Sequence, residues 1–386
     1  MKNKIPLYYV KISKEAIREV TATLKSGWLS TGPKVAQFEQ AISKKFGIKY
    51  SAGVSSASQG LELILSACQI GPGDEVITSP YTFISTIEAI HSVGAKPVFV
   101  DIDPVSLNIN PDQIRAKIND RTMAVITVDV GGFPCDYKKL KKLTRDEGIL
   151  LIGDAAHSIS AQYKNKPIFK QCDISALSFH ATKNLICGEG GMVLSDNKQL
   201  IERVKLLARH GISAGALKRK ENKNHWQYDV IAPGFKATMS ELHAAVGLGQ
   251  LKSFAKEEKI RIKLAERYLK NLSTVDQYLE LPLVPKQHHH GWHLFIVKLK
   301  TDSLKINRDQ FIQELLRNKI EAGVHFIPVF DFSFYKNILG WNGKKLPHTT
   351  DAFLRVVTLP LYPSLTLKQI DQISDTIIEL ITKYKK

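Results

Sequence analysis

Six short apolar runs punctuate the first half of the chain: Glu75-Val-Ile-Thr78, Pro97-Val-Phe-Val100, Met123-Ala-Val-Ile-Thr127, Ile149-Leu-Leu-Ile152, Ile174-Ser-Ala-Leu-Ser178 and Met192-Val-Leu194. Helical segments separate them. Strands that alternate with helices in this way predict an α/β fold with a largely parallel sheet. The pattern changes near residue 250, where Leu251-Lys-Ser-Phe-Ala-Lys-Glu-Glu-Lys-Ile-Arg-Ile-Lys263 is periodic, rich in lysine and free of a Gly/Pro/Ser-rich break. That stretch reads as a connecting helix rather than a linker. It predicts a large domain over residues 1–250 and a smaller domain of strands and helices over residues 251–386.

Open α/β sheets place ligand-contacting side chains at the carboxyl ends of their strands. The run Ile149-Leu-Leu-Ile-Gly-Asp154-Ala-Ala-His157 ends in a carboxylate at that edge. Asp154 there can keep a pyridine nitrogen protonated, or can simply cap the next helix. A lysine lies between an apolar strand and the glycine-rich turn Gly188-Glu-Gly-Gly191 in Ser178-Phe-His-Ala-Thr-Lys183. Lysine forms a Schiff base readily only when partly desolvated or beside other cations; otherwise it is a solvated surface charge. Upstream, Val54-Ser-Ser-Ala-Ser58-Gln59-Gly60 opens the apolar helix Leu61-Glu-Leu-Ile-Leu-Ser-Ala-Cys68. Free amide groups, the positive end of the helix dipole and the Ser58 hydroxyl suit a phosphate, the alternative being an ordinary serine N-cap.

These segments do not stand alone. With Ser26-Gly-Trp-Leu-Ser-Thr31-Gly-Pro33, Phe38-Glu39, Gly73-Asp-Glu-Val-Ile-Thr78, Pro80-Tyr-Thr-Phe83-Ile-Ser-Thr86, Pro233-Gly-Phe-Lys236 and Leu359-Pro-Leu-Tyr-Pro363, the chain resembles the DegT/DnrJ/EryC1/StrS sugar aminotransferases along nearly its whole length. That family is a branch of the fold-type I pyridoxal-phosphate enzymes. The resemblance implies pyridoxal 5′-phosphate as cofactor, with Lys183 as its Schiff-base partner and proton carrier. It implies Asp154 against the pyridinium nitrogen and His157 beside the ring or its 3-hydroxyl. Phe83 takes the position of the ring that stacks on the cofactor, and Ser58, Gln59 and Ser178 match phosphate-binding positions. Lys236 matches a residue that reaches the phosphate of the neighbouring subunit, which implies a homodimer with shared active sites. Some members carry histidine at the lysine position and dehydrate their substrate. Lys183 instead implies amine transfer, with L-glutamate giving its nitrogen, leaving 2-oxoglutarate, and a nucleotide-diphosphate keto-sugar receiving it.

Within the family the resemblance is nearest to the branch that aminates a UDP-4-keto-pentose in aminoarabinose synthesis for lipid A, a part of lipopolysaccharide biosynthesis. It is carried by Ser26–Lys34, Ser178–Cys187, Gly291-Trp-His293-Leu-Phe-Ile and Gly323-Val-His325-Phe. Thr31 and His325 are the sugar-side candidates, with a structural histidine the alternative for the latter. Asp129 stands where relatives often have histidine, Ala237-Thr238 where an aromatic and then Arg or Asn are usual, and Gly153 where an acidic or apolar residue is common. These departures keep a second acceptor in view, a nucleotide-4-keto-6-deoxyhexose destined for O-antigen, capsule or flagellar glycan.

The 386 residues carry 44% hydrophobic and 24% charged residues, ordinary for a soluble enzyme of two domains. The net charge of +17 raises nucleic-acid binding as a rival class. Its lysines are spread over helix faces rather than gathered into an arginine and aromatic stripe, so a solvated surface that also attracts anionic substrates is the reading adopted. Cys68, Cys135, Cys172 and Cys187 form no Cys-x-x-Cys pair, which predicts neither zinc site nor disulfide framework. Cys187 is read as a buried apolar residue, with an oxidation sensor the alternative, and His288-His289-His290 as a polar loop rather than a metal site. Neither an apolar leader nor a run of transmembrane length is apparent, and a cytoplasmic enzyme is expected.

Overall fold

The computed structural model describes residues 4–213, 228–284, 287–339 and 345–386. Its main sheet has seven strands, β1 (Tyr50–Val54), β2 (Glu75–Thr78), β3 (Lys96–Phe99), β4 (Thr122–Val128), β5 (Leu150–Asp154), β8 (Ile174–Ser178) and β9 (Gly191–Ser195), in the order β1-β9-β8-β5-β4-β2-β3. All six expected runs are strands of this sheet. From β3 across β2, β4 and β5 to β8 the pairing is parallel. It reverses at β8–β9 and again at β9–β1. The reversal follows from the connection: residues 179–190 between β8 and β9 contain no crossover helix, which a parallel return requires. β1 was not among the expected runs, because Tyr50-Ser-Ala-Gly-Val54 carries small residues rather than an apolar block. Its strand form comes from the five-residue register with β9.

A second sheet is small and antiparallel, in the order β10-β12-β13, formed by Leu279–Glu280, Phe295–Leu299 and Val356–Leu359. A third joins β11 (His288–His289) to the hairpin of β6 (Gln162–Tyr163) and β7 (Lys166–Pro167). The three strands of the second sheet pack against Leu264, Tyr268, Phe311, Ile370 and Ile377 to form a core of their own.

The helix Glu241–Leu272 spans both cores. Ala244 and Phe254 lie in the core of the main sheet, whereas Leu264, Ala265, Tyr268 and Leu272 lie in that of the second. The connecting helix expected from residue 251 thus begins ten residues earlier. Ser240 caps it by accepting from the His243 amide, and Glu241 lies in the first turn where a carboxylate complements the helix dipole. The N-terminal segment also crosses: Ile5 is buried in the second core, and its backbone bonds to Lys319 and Glu321.

Two close contacts fix the long helix. Arg261, fully buried, donates through Nη1 to the carbonyls of Leu361 at 2.6 Å and Trp292 at 3.3 Å. Burial pulls its pKa from 12.5 down to about 10, with Glu257 opposing. On the other flank the helix Lys14–Ser26 lies so near that a Cβ on Gly249 would stand 2.2 Å from Ala16 Cα. Among the described residues no helix is long and apolar enough to cross a membrane.

The Gly249 contact is backbone against backbone, so a side chain there forces the helices apart. Gly249→Val is expected to destabilise the protein by about 1–3 kcal/mol, read from the urea midpoint at unchanged slope.

Candidate active site

A cavity of about 520 Å³ opens between the carboxyl edge of the main sheet and the loops of the second sheet. One wall carries Ser56, Ala57 and Ser58 at the start of the helix Ala57–Ala67, with Phe83, Asp154, His157, Ser178 and Lys183. The opposite wall carries His293, Val324, His325, Phe326 and Leu361. The structure therefore brings together Ser58, Phe83, Asp154, His157, Ser178, Lys183 and His325 out of the candidates read from the sequence.

Three candidates lie outside this lining. Gln59 donates its side-chain amide to Glu62 at 2.5 Å. Thr31 donates to the Met239 carbonyl at 2.8 Å. Lys236 is exposed, in a short backbone bridge with Arg209.

Asp154 is the last residue of β5 and Lys183 follows β8, its parallel neighbour, so the sheet itself sets them on one edge. Lys183 is half-buried, and desolvation around its amine pulls the pKa from 10.5 to about 8 against the attraction of Asp154. Asp154 is buried and accepts from Thr86 Oγ1 at 2.7 Å and from the Ala156 amide at 3.2 Å. Burial nonetheless holds its pKa above the usual carboxylate value, with those two bonds and Lys183 pulling the other way. Both groups are thus pushed toward their neutral forms. A carboxylate in that state has room for a further cation.

The phosphate-type corner depends on absent side chains. A Cβ on Gly191, the first residue of β9, would lie 2.5 Å from the Ser56 carbonyl carbon and 2.6 Å from the Ala57 nitrogen. Glycine there lets the helix start reach the sheet edge. Ser56 caps that helix by accepting from the Gln59 amide at 3.1 Å, and Ser58 on its first turn lines the cavity. Phe83 presents its ring to the cavity while 59% exposed.

Four histidines, His157, His180, His293 and His325, line the cavity, and burial lowers the pKa of His157, His293 and His325, the last to about 4. His325 Nδ1 bonds Thr358 Oγ1 at 2.9 Å, and its carbonyl accepts from Tyr81. His157 stacks on Phe326 with ring centroids 5.5 Å apart. Sequence reasoning missed the roles of Thr86, Tyr81 and Phe326. Only proximity to a motif residue marked them, and side-chain partners across the fold leave no local trace.

The remaining sequence candidates fall into packing. His288 stacks on Tyr163, His289 faces Glu258, and His290 stacks on Trp292, so the histidine run points to three different partners. Among the described residues no group of three or more His, Cys, Asp or Glu side chains is arranged to hold a metal. The four cysteines are free thiols. Cys187 is buried where a Cβ on Gly247 would stand 2.6 Å from its sulfur, and burial pushes its thiol pKa far up. Asp129, the departure flagged above, is wholly buried and accepts from the Cys135 amide and Tyr137 hydroxyl, both at 2.8 Å, holding the turn that carries Gly131.

With this geometry in hand, comparisons with known proteins identify the class. The chain matches the DegT/DnrJ/EryC1/StrS aminotransferase family over residues 10–378. It is 38% identical to the spore coat polysaccharide biosynthesis protein SpsC of Bacillus subtilis over 378 residues, covering 98% of this chain and 97% of that one. Among solved structures, the putative sugar aminotransferase Spr1654 of Streptococcus pneumoniae in its PMP form superposes with a TM-score of 0.93 at 30% identity, covering 98% and 99% of the two chains. Its PLP form gives 0.91 at 29%. The chain belongs to the DegT/DnrJ/EryC1/StrS aminotransferase family, and its α/β fold is that of the pyridoxal-phosphate aminotransferases.

Pyridoxal 5′-phosphate is the cofactor of this family, and the residues present fit it. The fit rests on the amine of Lys183, the carboxylate of Asp154 short of a cation, the helix start made accessible by Gly191 and the aromatic ring at the mouth.

Two pH effects follow. At pH 7 a lysine with a pKa near 8 is about one-tenth free amine, against about 1 in 3,000 at 10.5. Imine formation at Lys183 with a small aldehyde, trapped by borohydride and located by peptide mapping, should level off above about pH 8–9, with surface lysines still rising at pH 10. For Asp129 burial raises the pKa from 3.8 to about 6. The folded state then binds the proton more tightly than the unfolded one, so stability falls as pH rises from about 4 through 6. Asp129→Asn should exceed wild type by about 2–3 kcal/mol at pH 8 and lose that advantage below pH 4, in denaturant titrations at both pH values.

Proposed function

We propose that this protein is a pyridoxal-phosphate-dependent aminotransferase that moves an amino group from L-glutamate to a nucleotide-linked 4-keto sugar. The observation that carries it is Lys183 with its amine pKa lowered to about 8, on one cavity wall with a buried carboxylate and an open helix start. The cofactor supplies the nitrogen carrier and electron sink. Asp154 would face its ring nitrogen, the Ala57–Ala67 helix start with Ser58 and Ser178 would hold the phosphate, and Phe83 would cover one ring face and exclude water. Lys183, whose amine pKa near 8 lies close to the working range, takes a proton from the substrate carbon and returns it. Its role and that of Asp154 make both catalytic; His157 joins them through the hydrogen bond its free ring nitrogen can offer.

The acceptor we infer first is a UDP-4-keto-pentose, on the resemblance of the His293 and His325 stretches, with His325 on the cavity wall as the sugar-side contact. The naming of the Bacillus relative for spore coat polysaccharide favours a second reading, a 4-keto-6-deoxyhexose of a surface glycan.

A cytoplasmic homodimer is the assembly we favour. Tyr8, Tyr9, Val10 and Ile12 are exposed in one segment beginning at the cavity mouth. Lys236 is exposed and outside the lining of its own cavity, which leaves it available to a neighbour.

The test is spectral. The enzyme loaded with pyridoxal phosphate should convert fully to the amine form with L-glutamate, and one of the two UDP-keto sugars should reverse the change. No response to glutamate would remove the proposed donor; response to the hexose alone would remove the pentose. Lys183→Ala should lose the cofactor's visible absorbance and slow turnover by at least about 10²-fold, while Asp154→Asn retains the absorbance at reduced turnover.

A further inference from the structure

A second cavity, of about 780 Å³, lies between the hairpin of β6 and β7 and the helix Glu241–Leu272, and it shares no lining residue with the first. That volume is in the range small ligands occupy. Ala255 and Ile262 give it an apolar surface, and Gln162, Lys164, Asn165, Lys259, Gln287 and His288 a polar one. Its one carboxylate, Glu258, has His289 Nε2 3.8 Å away.

The polar groups are weighted toward donors. Lys164 and Asn165 form the turn between β6 and β7, at φ 48° and 60°, the left-handed pair that a tight hairpin takes. The Lys164 amide donates to His288 Nδ1 at 3.2 Å and so ties the turn to β11. An amide N–H can only donate, so Nδ1 holds a lone pair and the ring hydrogen sits on Nε2. No acceptor meets it among the described residues. The His288 ring is held in place by Tyr163, with centroids 4.2 Å apart, and Lys164 Nζ stands 5.9 Å over the same tyrosine. The side-chain amides of Gln162, Asn165 and Gln287 are likewise unbonded among the described residues.

The lysines are also unpaired. Lys252 on the same helix bonds Glu19 at 3.1 Å, whereas Lys164 and Lys259 enter no ion pair among the described residues. Lys259 adjoins a smaller cavity, of about 410 Å³, lined also by Lys256, Ile260 and Lys263. Spaced by three and four residues, Lys256, Lys259 and Lys263 share a helix face and repel one another, a cost that an anion would remove. Free ammonium groups on the hairpin and on the helix, with N–H donors in the same lining, fit several anionic oxygens at once. A single phosphate leaves most of the volume empty. We propose that this cavity is a second binding site, for a phosphate-bearing anion of the size of a diphosphate or a nucleoside diphosphate.

The test is calorimetric binding of inorganic diphosphate and of ADP to the full chain. The protein is loaded with pyridoxal phosphate, which fills the phosphate corner of the first cavity, and ionic strength is held at about 0.15 M to screen general surface attraction. At least one probe should bind once per chain. Lys164→Asn and Lys259→Gln should each weaken it by at least about tenfold, while Lys368→Gln, an exposed lysine on the last helix, leaves it unchanged. Asparagine tolerates the left-handed backbone at 164, and position 259 is exposed, so both variants keep the fold; unchanged aldehyde trapping at Lys183 verifies this. Equal affinities for the two probes assign the site to the diphosphate group, and tighter ADP places the nucleoside on Ala255 and Ile262. No binding of either probe at about 10 mM overturns the proposal. So does binding that neither cavity variant weakens, weakening by Lys368→Gln to the same degree, or adenosine that binds as tightly as ADP.

Discussion

Arg261 is the contact through which the site exists as a cavity rather than as a sheet edge open to water. Its guanidinium, buried in the long helix, holds the carbonyls of Trp292 and Leu361, one beside His293 and the other on the cavity wall. A buried cation satisfied by carbonyl dipoles costs desolvation, as its lowered pKa reflects. That cost is offset by geometry: the helix that serves both cores is tied to the loops that close over Asp154 and Lys183.

The closure sets the electrostatics. Removing water shifts Lys183 down and Asp154 up, so each is held less firmly in its charged form. Their mutual attraction opposes this and loses, which leaves a base of useful strength and a carboxylate receptive to a ring cation. The same dryness keeps three imidazoles neutral.

How far the site could be read from the chain divides along the fold. The wall built by the main sheet was legible, because Asp154, Ser178 and Lys183 end or follow apolar runs whose partners come in sequence order. The opposing wall was legible only at His325 and, as part of a motif, His293. Phe326, Val324 and Leu361 take their roles from the way the second sheet docks, a long-range packing that no local pattern records. β1 escaped notice because Ser51, Ala52 and Gly53 owe their extended form to β9. Gln59, Thr31 and Lys236 show the converse: motif membership singled them out, yet their side chains turn to Glu62, to Met239 and to solvent.

One contrast runs through the molecule. The chain carries a net charge of +17, yet Lys183 is the single lysine or arginine among the described residues that line the cavity, and its pKa is lowered. Attraction of anions is thereby separated in space from their retention. A field spread over the exterior draws a charged ligand in from a distance and fades with salt. Once inside, the ligand meets a helix-start dipole, hydroxyls and imidazoles kept neutral by burial, with Lys183 the cation that the described lining supplies.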